Sequence, residues 1–285
     1  MTSKFVEGIF SEKFLGNHSY QSPEMQIGLF TRLFPSISFY SRLLVGPFRW
    51  LCRRAANGLC DDYAWVYGSI RVAELLEETG CRIFVEGMEH FENLDGPCVF
   101  VANHMSTLET FMLPGIIRPR RQVTYVLKES LVNLPLFGAV IRSRNPITVG
   151  RKNPRHDLAA ILEGGMERLA QGISLIVFPQ STRSKTFNAD HFNSIGIKLA
   201  KRAKVPLIPI ALKTDAWGQG LMVKDIGAIS PVLPVRYSFG PALYIEGPGK
   251  IEQNAVTEYI ATHLNKWNQT DNILGMKKGL PDGKP

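Results

Sequence analysis

Long apolar runs are missing from this chain. The longest stretch free of Asp, Glu, Lys and Arg is Leu169 to Thr182, 14 residues. That is short of the ~20 predominantly apolar residues an ordinary bilayer-spanning helix needs. Cysteine is scarce. Cys52, Cys60, Cys81 and Cys98 include no pair with the two-residue gap of a zinc or redox motif, and so few in a chain this long do not make a disulfide scaffold. A reducing cytoplasmic setting is the expectation. The first residues, Met-Thr-Ser-Lys-Phe-Val-Glu-Gly, run on into polar sequence and lack a secretory apolar core. Acidic residues vanish altogether between Gln26 and Cys60, where Arg32, Arg42, Arg49, Arg53 and Arg54 stand unopposed.

What is present is an ordinary globular balance, 45% apolar and 20% charged over 285 residues. Such a chain buries a sizeable core, which excludes disorder. Lys and Arg outnumber Asp and Glu by 33 to 25, a net charge of +8. That excess favours anionic partners: phosphate groups, acidic lipid surfaces, acidic carrier proteins or nucleic acid. Nucleic acid is the weakest of these, because much of the excess sits among aromatics near the N-terminus and no reading motif appears.

Three regions are expected. Residues 1–60 form a lead-in and a helical pair, 61–270 an α/β domain, and 271–285 a flexible tail. Residues 1–24 are mixed and polar and read as loosely held. From Gln26 to Arg54, Phe, Trp, Leu and Ile alternate with arginine, and helical segments break near Pro35 and Gly46-Pro47. Two readings stay open for this segment. It lies at a membrane interface, arginines on anionic headgroups and apolar side chains in the acyl boundary, or it packs on the main domain with its arginines in water.

From Asp61 the pattern becomes α/β. A helix from about Tyr63 to Glu78 ends at Gly80, a plausible C-cap. Strands are expected at Arg82–Val85, Cys98–Ala102, Val123–Leu127, Ile173–Phe178, Leu207–Leu212, Arg236–Phe239 and Leu243–Ile245. Several are near-continuous apolar runs, as in strands covered on both faces. Helical spacing joins Leu158, Ile161, Leu162, Met166 and Leu169, and again Val256, Tyr259, Ile260, Leu264 and Trp267. The alternation predicts a single mixed, mostly parallel sheet flanked by helices, with the N-terminal amphipathic helical pair added to it.

Four segments carry polar chemistry. The buried run Cys98–Ala102 opens into Asn103 and His104, and Met105 to Leu113, which includes Ser106, Thr107 and Glu109, then reads as a helix. Ligands usually sit at the C-terminal ends of strands in such sheets. Five positions within a helix rotate about 140°, so His104 and Glu109 meet only if His104 precedes the helix. An imidazole held by a carboxylate is then a better base in a fixed tautomer, and backbone N–H groups of the turn are candidate oxyanion donors. A strand-end histidine is also often purely structural.

The second segment, Phe178-Pro179-Gln180-Ser181-Thr182-Arg183-Ser184-Lys185, offers hydroxyls and a guanidinium to a phosphate, or is a solvated basic loop. The third, Ile147-Thr148-Val149-Gly150-Arg151-Lys152, is a short strand ending in cations. The fourth, Val205-Pro206-Leu207-Ile208-Pro209, is apolar, with prolines that imply a sheet edge or a ladder break. It reads as a floor for an acyl chain or as plain core.

The order of these segments resembles the glycerolipid acyltransferases of the 1-acyl-glycerol-3-phosphate acyltransferase type. That family carries Asn-His-x4-Asp, an arginine-ended block, Phe-Pro-Glu-Gly-Thr-Arg-Ser and Val-Pro-x-x-Pro, in this order. The resemblance is good from about Phe84 to Leu212 and weak at the flanks. It implies a glycerol-3-phosphate acyltransferase-like fold with His104 as general base and Glu109 as its orienting acid. It further implies Arg151 and Arg183, helped by Thr182 and Ser181, on the acceptor's phosphate. Asn103, Ser106 and Gln180 would support the oxyanion, and Pro206 and Leu207 would line the acyl pocket.

The implied donor is acyl-CoA or acyl-carrier protein and the implied acceptor a lysophospholipid, lysophosphatidic acid first. No metal or cofactor is implied. Residues 26–54 would rest on the cytoplasmic face of a membrane as a peripheral attachment. Three departures stand out: Glu109 for aspartate, Gln180 and Ser181 for Glu-Gly, and Gly150 for an acidic residue before Arg151. They leave open an acyltransferase with a different lyso-lipid acceptor, or a non-catalytic lipid-binding protein of the same shape.

Overall fold

The computed structural model describes residues 12–15, 17–180, 182–220 and 224–277, with side chains described except at residues 12 and 272–277. Eight strands build one sheet: β1 (Tyr20–Gln21), β2 (Ile83–Glu86), β3 (Val99–Ala102), β4 (Val123–Lys128), β5 (Ile147–Val149), β6 (Ser174–Val177), β7 (Leu207–Lys213) and β8 (Val235–Phe239). Their order is β1-β2-β8-β7-β3-β6-β4-β5. The run from β7 to β5 is parallel throughout. β8 is antiparallel to β7, β2 parallel to β8, and β1 antiparallel at the edge. The mixed, mostly parallel sheet expected from the sequence is therefore what forms.

The apolar runs are continuous because the sheet is covered twice. Phe100, Ala102, Ile176, Ile208 and Ile210 join one core with Val66, Ile70 and Leu76 of the helix Asp62–Glu78 and with Met112 and Ile116 of the helix Leu108–Ile117. Their neighbours Val99, Val101, Leu175, Val177 and Leu207 join a second core. It takes in Ile197 and Leu199 of the helix Ile195–Ala203, and Val256, Ile260 and Leu264 of the helix Lys250–Lys277. Side chains alternate across a strand, so each run feeds both cores. The helix Asp62–Glu78 ends as expected, with Gly80 at φ +97° just past its cap.

Four expectations change. The Leu207 strand is interior, between β3 and β8, not at an edge. Its Pro209 is tolerated because its ladder break falls where β8 runs out. Gly240 N–H donates to the Pro209 carbonyl at 2.8 Å, and a side chain at Gly240 would sit 2.7 Å from the Pro209 ring. Leu243–Ile245 makes only a bridge, Leu243 with Leu207, because Gly240-Pro241 and Gly247-Pro248 bracket too short a segment. The helix at the C-terminus continues through Asp271 to Lys277, where Asp271 pairs with Arg236 at 2.9 Å. Of the expected tail, only 278–285 lies outside the described residues.

The fourth change concerns the lead-in, which is firmly held where it is described. Phe14 is buried, edge-on to Tyr20 at 4.9 Å. Glu77, buried on the Asp62–Glu78 helix, accepts from Tyr20 at 2.6 Å and Ser22 at 2.7 Å and pairs with Lys13. The Ser22 hydroxyl oxygen in turn accepts the Ile83 N–H at 2.7 Å. Burial works against the Lys13 charge, but bonds to Glu77 and Tyr20 outweigh it and leave its pKa raised.

After the lead-in come three helices instead of the expected pair, Leu29–Leu33, Pro35–Leu43 and Arg49–Ala56, because the expected breaks at Pro35 and at Gly46-Pro47 both divide the segment. They pack on the domain through Phe39, Leu43, Leu51 and Cys52. Phe14, Phe39 and Leu43 belong to the main core, so the expected 60/61 boundary does not divide it. The outer face leaves Leu29, Phe30, Leu33, Ile37, Leu44 and Val45 exposed.

Removing the Glu77 carboxylate strips a shared partner from three groups. Glu77→Ala is expected to lower unfolding stability by about 3 kcal/mol, as when one member of a buried ion pair is lost. Urea denaturation followed by tryptophan emission measures it.

Candidate active site

Five parallel strands deliver the residues that follow them to one rim of the sheet. His104 follows β3, Phe178 follows β6, Lys128 closes β4, Arg151 follows β5 and Thr214 follows β7. The helix after β3 begins only at Leu108. His104 therefore stands in a turn ahead of it, and Glu109, on the first helical turn, reaches back.

His104 Nδ1 lies 2.9 Å from Glu109 Oε2. The other carboxylate oxygen, Oε1, accepts the backbone N–H of Met105 at 2.8 Å and of Ser106 at 2.9 Å, and the Thr214 hydroxyl at 2.5 Å. Glu109 has no exposed surface. Its negative charge is felt nearby: burial first, and then this carboxylate, push the Tyr125 and Tyr237 phenols well above their ordinary range.

The second loop clamps His104 from the other side. The ring stacks on Phe178 with centroids 4.4 Å apart. The His104 N–H donates to Gln180 Oε1 at 2.7 Å, and its carbonyl accepts from Ser184 N–H at 2.9 Å. With Nδ1 engaged by Glu109, Nε2 is the nitrogen left for a reacting partner.

Beside the ring opens a hollow of about 150 Å³. Phe111, Tyr125, Leu127, Phe137 and Ile141 form its apolar wall, and Lys128, Arg144 and Arg151 bring positive charge. Arg144 is engaged by Asp62 at 2.9 Å. Arg151 adopts a left-handed backbone, φ +58°, where the strand turns into the helix Pro154–Ala170. Preceding it, Gly150 N–H donates to Asp157 Oδ1 at 3.1 Å, so an acid is supplied from the next helix.

Arg183 precedes Ser184, whose N–H holds the His104 carbonyl, but is not part of the hollow's lining. It bonds Thr107 and pairs with Asp225 at 2.6 Å. Thr107 Oγ1 donates to the same carboxylate at 2.9 Å. The loop carrying Asp225 is fastened to the N-terminal helices. Tyr40 donates to the Gly227 carbonyl at 2.7 Å, and Ile229 N–H donates to Ser36 Oγ at 2.9 Å. Burial holds the Tyr40 phenol up to about 12.

The expected supporting residues do different work. Asn103 is buried and exchanges two 2.8 Å bonds with the Leu212 backbone, extending the ladder to β7 instead of facing an oxyanion. Ser106 donates its hydroxyl to Thr214 at 3.0 Å and accepts Leu108 N–H. The turn's N–H groups at 104, 105 and 106 are taken by Gln180 and Glu109. Pro206 and Leu207 are no acyl pocket: Leu207 is fully buried and pairs with Val99 at the strand entrance, the rim opposite His104. Thr182 is exposed, and Ser181 lies outside the described residues.

Thr214, Lys128 and Asp225 went unmarked in the sequence. The first two follow from one rule, that parallel strands empty onto a common rim. Nothing local signals Asp225, which depends on a long-range loop contact.

The profile of the family described as Acyltransferase matches residues 82–213. A 1-acyl-sn-glycerol-3-phosphate acyltransferase of Pseudomonas aeruginosa is 32% identical over 215 residues, 75% of this chain and 76% of that one. One from Cocos nucifera is 31% identical over 147 residues, 52% of this chain and 46% of that protein. The chain thus spans under half of the latter. The crystal structure of the 1-acyl-sn-glycerophosphate acyltransferase PlsC of Thermotoga maritima superposes with a TM-score of 0.63 at 18% identity. The match covers 83% of this chain and 96% of that one, and at this identity it speaks for the fold.

Glu109→Gln tests how the imidazole is oriented. The donors at Met105, Ser106 and Thr214 demand an oxygen, which turns the new amide's NH2 toward His104 Nδ1. The ring then carries its proton on Nε2 instead of Nδ1. Nitrogen-15 NMR of the imidazole is expected to register that exchange; an unchanged pattern would mean Glu109 does not set the tautomer.

Proposed function

Because the chain belongs to the acyltransferase family, we propose that it moves a fatty acyl group from acyl-CoA or acyl-carrier protein to the free hydroxyl of 1-acyl-glycerol-3-phosphate. The observation that carries the reading is the His104–Glu109 contact at 2.9 Å, with Glu109 Oε1 saturated by three other donors. So fixed, the ring offers Nε2 to the acceptor. Nε2 takes the hydroxyl proton as that oxygen bonds the thioester carbonyl carbon. The tetrahedral adduct collapses, the C–S bond breaks, and the thiolate leaves with the proton from the imidazolium. Glu109 faces the positive charge the ring bears in between. No acyl-enzyme forms.

The apolar wall of Phe111, Leu127, Phe137 and Ile141 suits a fatty chain, and Arg151 in the same hollow suits a phosphate. Arg183 supplies the second guanidinium once Asp225 gives way. The pair is only partly buried, so its exchange for a phosphate dianion costs little. The His104–Glu109 pair, more than is needed to hold a lipid, favours catalysis over the purely binding role that Gln180 in place of glutamate would suit.

The reaction belongs at a lipid surface. Among the described residues no helix is long and apolar enough to cross a membrane. The exposed Leu29, Phe30, Leu33, Ile37, Leu44 and Val45 suit an interfacial attachment, on the cytoplasmic face where the thioester donors are found. Phe48 at the base of these helices stacks on Phe137 of the hollow, 5.4 Å between centroids, a short path from bilayer to site.

His104→Ala is expected to leave the circular dichroism spectrum intact and cut acyl transfer from labelled acyl-CoA by about 100- to 10,000-fold; full turnover would remove His104 from the reaction. Asp225→Asn is expected to lower the apparent KM for lysophosphatidic acid about threefold, the scale of a partly exposed ion pair. A raised KM would make Asp225 a positioning residue for Arg183 instead of a competitor.

A further inference from the structure

A second concavity, larger than the hollow at His104 and sharing none of its lining residues, lies where the N-terminal helices cross the helix Asp62–Glu78. It measures about 940 Å³. Five guanidinium groups border it, from Arg42, Arg49, Arg53, Arg54 and Arg71, against the single carboxylate of Glu78. Glu78 is shared, at 2.6 Å from Arg42 and 3.9 Å from Arg71, and Arg71 is neutralised chiefly by Glu74, one turn further along its own helix. Arg54 donates to the Leu59 carbonyl and lies over the Trp50 ring. Arg49 and Arg53, one helical turn apart, make no ion pair among the described residues.

Packing of the helices does not require this charge. Leu51 and Cys52 on the same helix are buried, whereas Arg49 and Arg53 are exposed. Like charges around one groove repel, and an anion with several oxygens relieves that repulsion through paired N–H donors. The rest of the lining narrows the class of anion. Trp50 and Tyr67 stand together, 4.9 Å between centroids, an aromatic pair of the kind that sits at headgroup level. Val45 and Leu59 are exposed at the rim, and Val45 continues into the apolar outer face at Leu44. A free phosphate uses the charge but not these apolar borders; a phospholipid uses both.

We propose that this groove is a headgroup site for an anionic phospholipid of the supporting bilayer, bound by its phosphodiester and not consumed in the reaction. It rests on the reading that the N-terminal helices lie on a membrane, and it adds a preference for lipid charge at a place apart from the acceptor site.

The test uses the full chain and monomeric dihexanoyl lipids, so that binding is read without a bilayer. Trp50 emission, isolated by subtracting a Trp50→Phe variant, is followed through titration with phosphatidylglycerol, phosphatidylcholine or inorganic phosphate. A saturable one-to-one response to phosphatidylglycerol is expected, with phosphatidylcholine and phosphate each at least about tenfold weaker, and an Arg49→Gln/Arg53→Gln variant weakened about tenfold. Equal response to phosphatidylcholine, equal response to phosphate, or an unaffected double variant would each overturn the proposal. Sedimentation with phosphatidylcholine vesicles, comparing the native chain with Phe30→Ser/Leu33→Ser, judges membrane attachment separately. If the native chain ignores vesicles, the attachment reading fails while the monomer titration still decides the groove.

Discussion

A carboxylate with no access to water must be fully satisfied by its neighbours, and Glu109 dictates the centre of this protein on that account. Moving such a group out of water costs several kcal/mol unless donors replace the solvent. Four do so here: the His104 ring, two backbone N–H groups of the turn, and the Thr214 hydroxyl. They come from the exit of β3 and the residue after β7, so one side chain ties two central strands and a helix start together. Glu109 makes this reach with a side chain one methylene longer than the aspartate of the family motif, keeping the same charge beside the imidazole.

The turn around that carboxylate is correspondingly crowded. Asn103 is committed to Leu212, the N–H groups at 105 and 106 to Glu109, and that at 104 to Gln180. What remains unengaged at the centre is the outer nitrogen of one imidazole, backed by Phe178 and set between an apolar wall and a cationic rim. Rigidity of this kind limits the reorganisation a reaction would need. Arg183 is the exception, held by a carboxylate on a distant loop through a contact that solvent reaches.

Much of this was legible beforehand, for reasons that can be named. Parallel strands release their ends on one side, so a histidine after Ala102 and an arginine after Val149 share a rim without any knowledge of strand order. The same rule, applied to direction, would have excluded Pro206 and Leu207, which stand at the entrance of β7. Strand order itself was not legible. Asn103 looked like a free amide because its partner, Leu212, becomes a neighbour only when β7 lies beside β3. The polar lead-in hid its hold because Glu77, Tyr20 and Ser22 are far apart along the chain and each is unremarked alone.

The two bonds from Ser36 and Tyr40 to the 227–229 backbone have a practical meaning for anyone who would shorten this protein. The front sixty residues are not a detachable anchor. Cutting them away to obtain a more tractable catalytic piece would unseat the segment that carries Asp225, open the main core at Phe39 and Leu43, and remove Phe48 from beside Phe137. Such a truncation would lose its grip on the guanidinium at 183 together with the exposed apolar face of Leu29, Phe30 and Leu33, and the two losses would be indistinguishable in a simple assay.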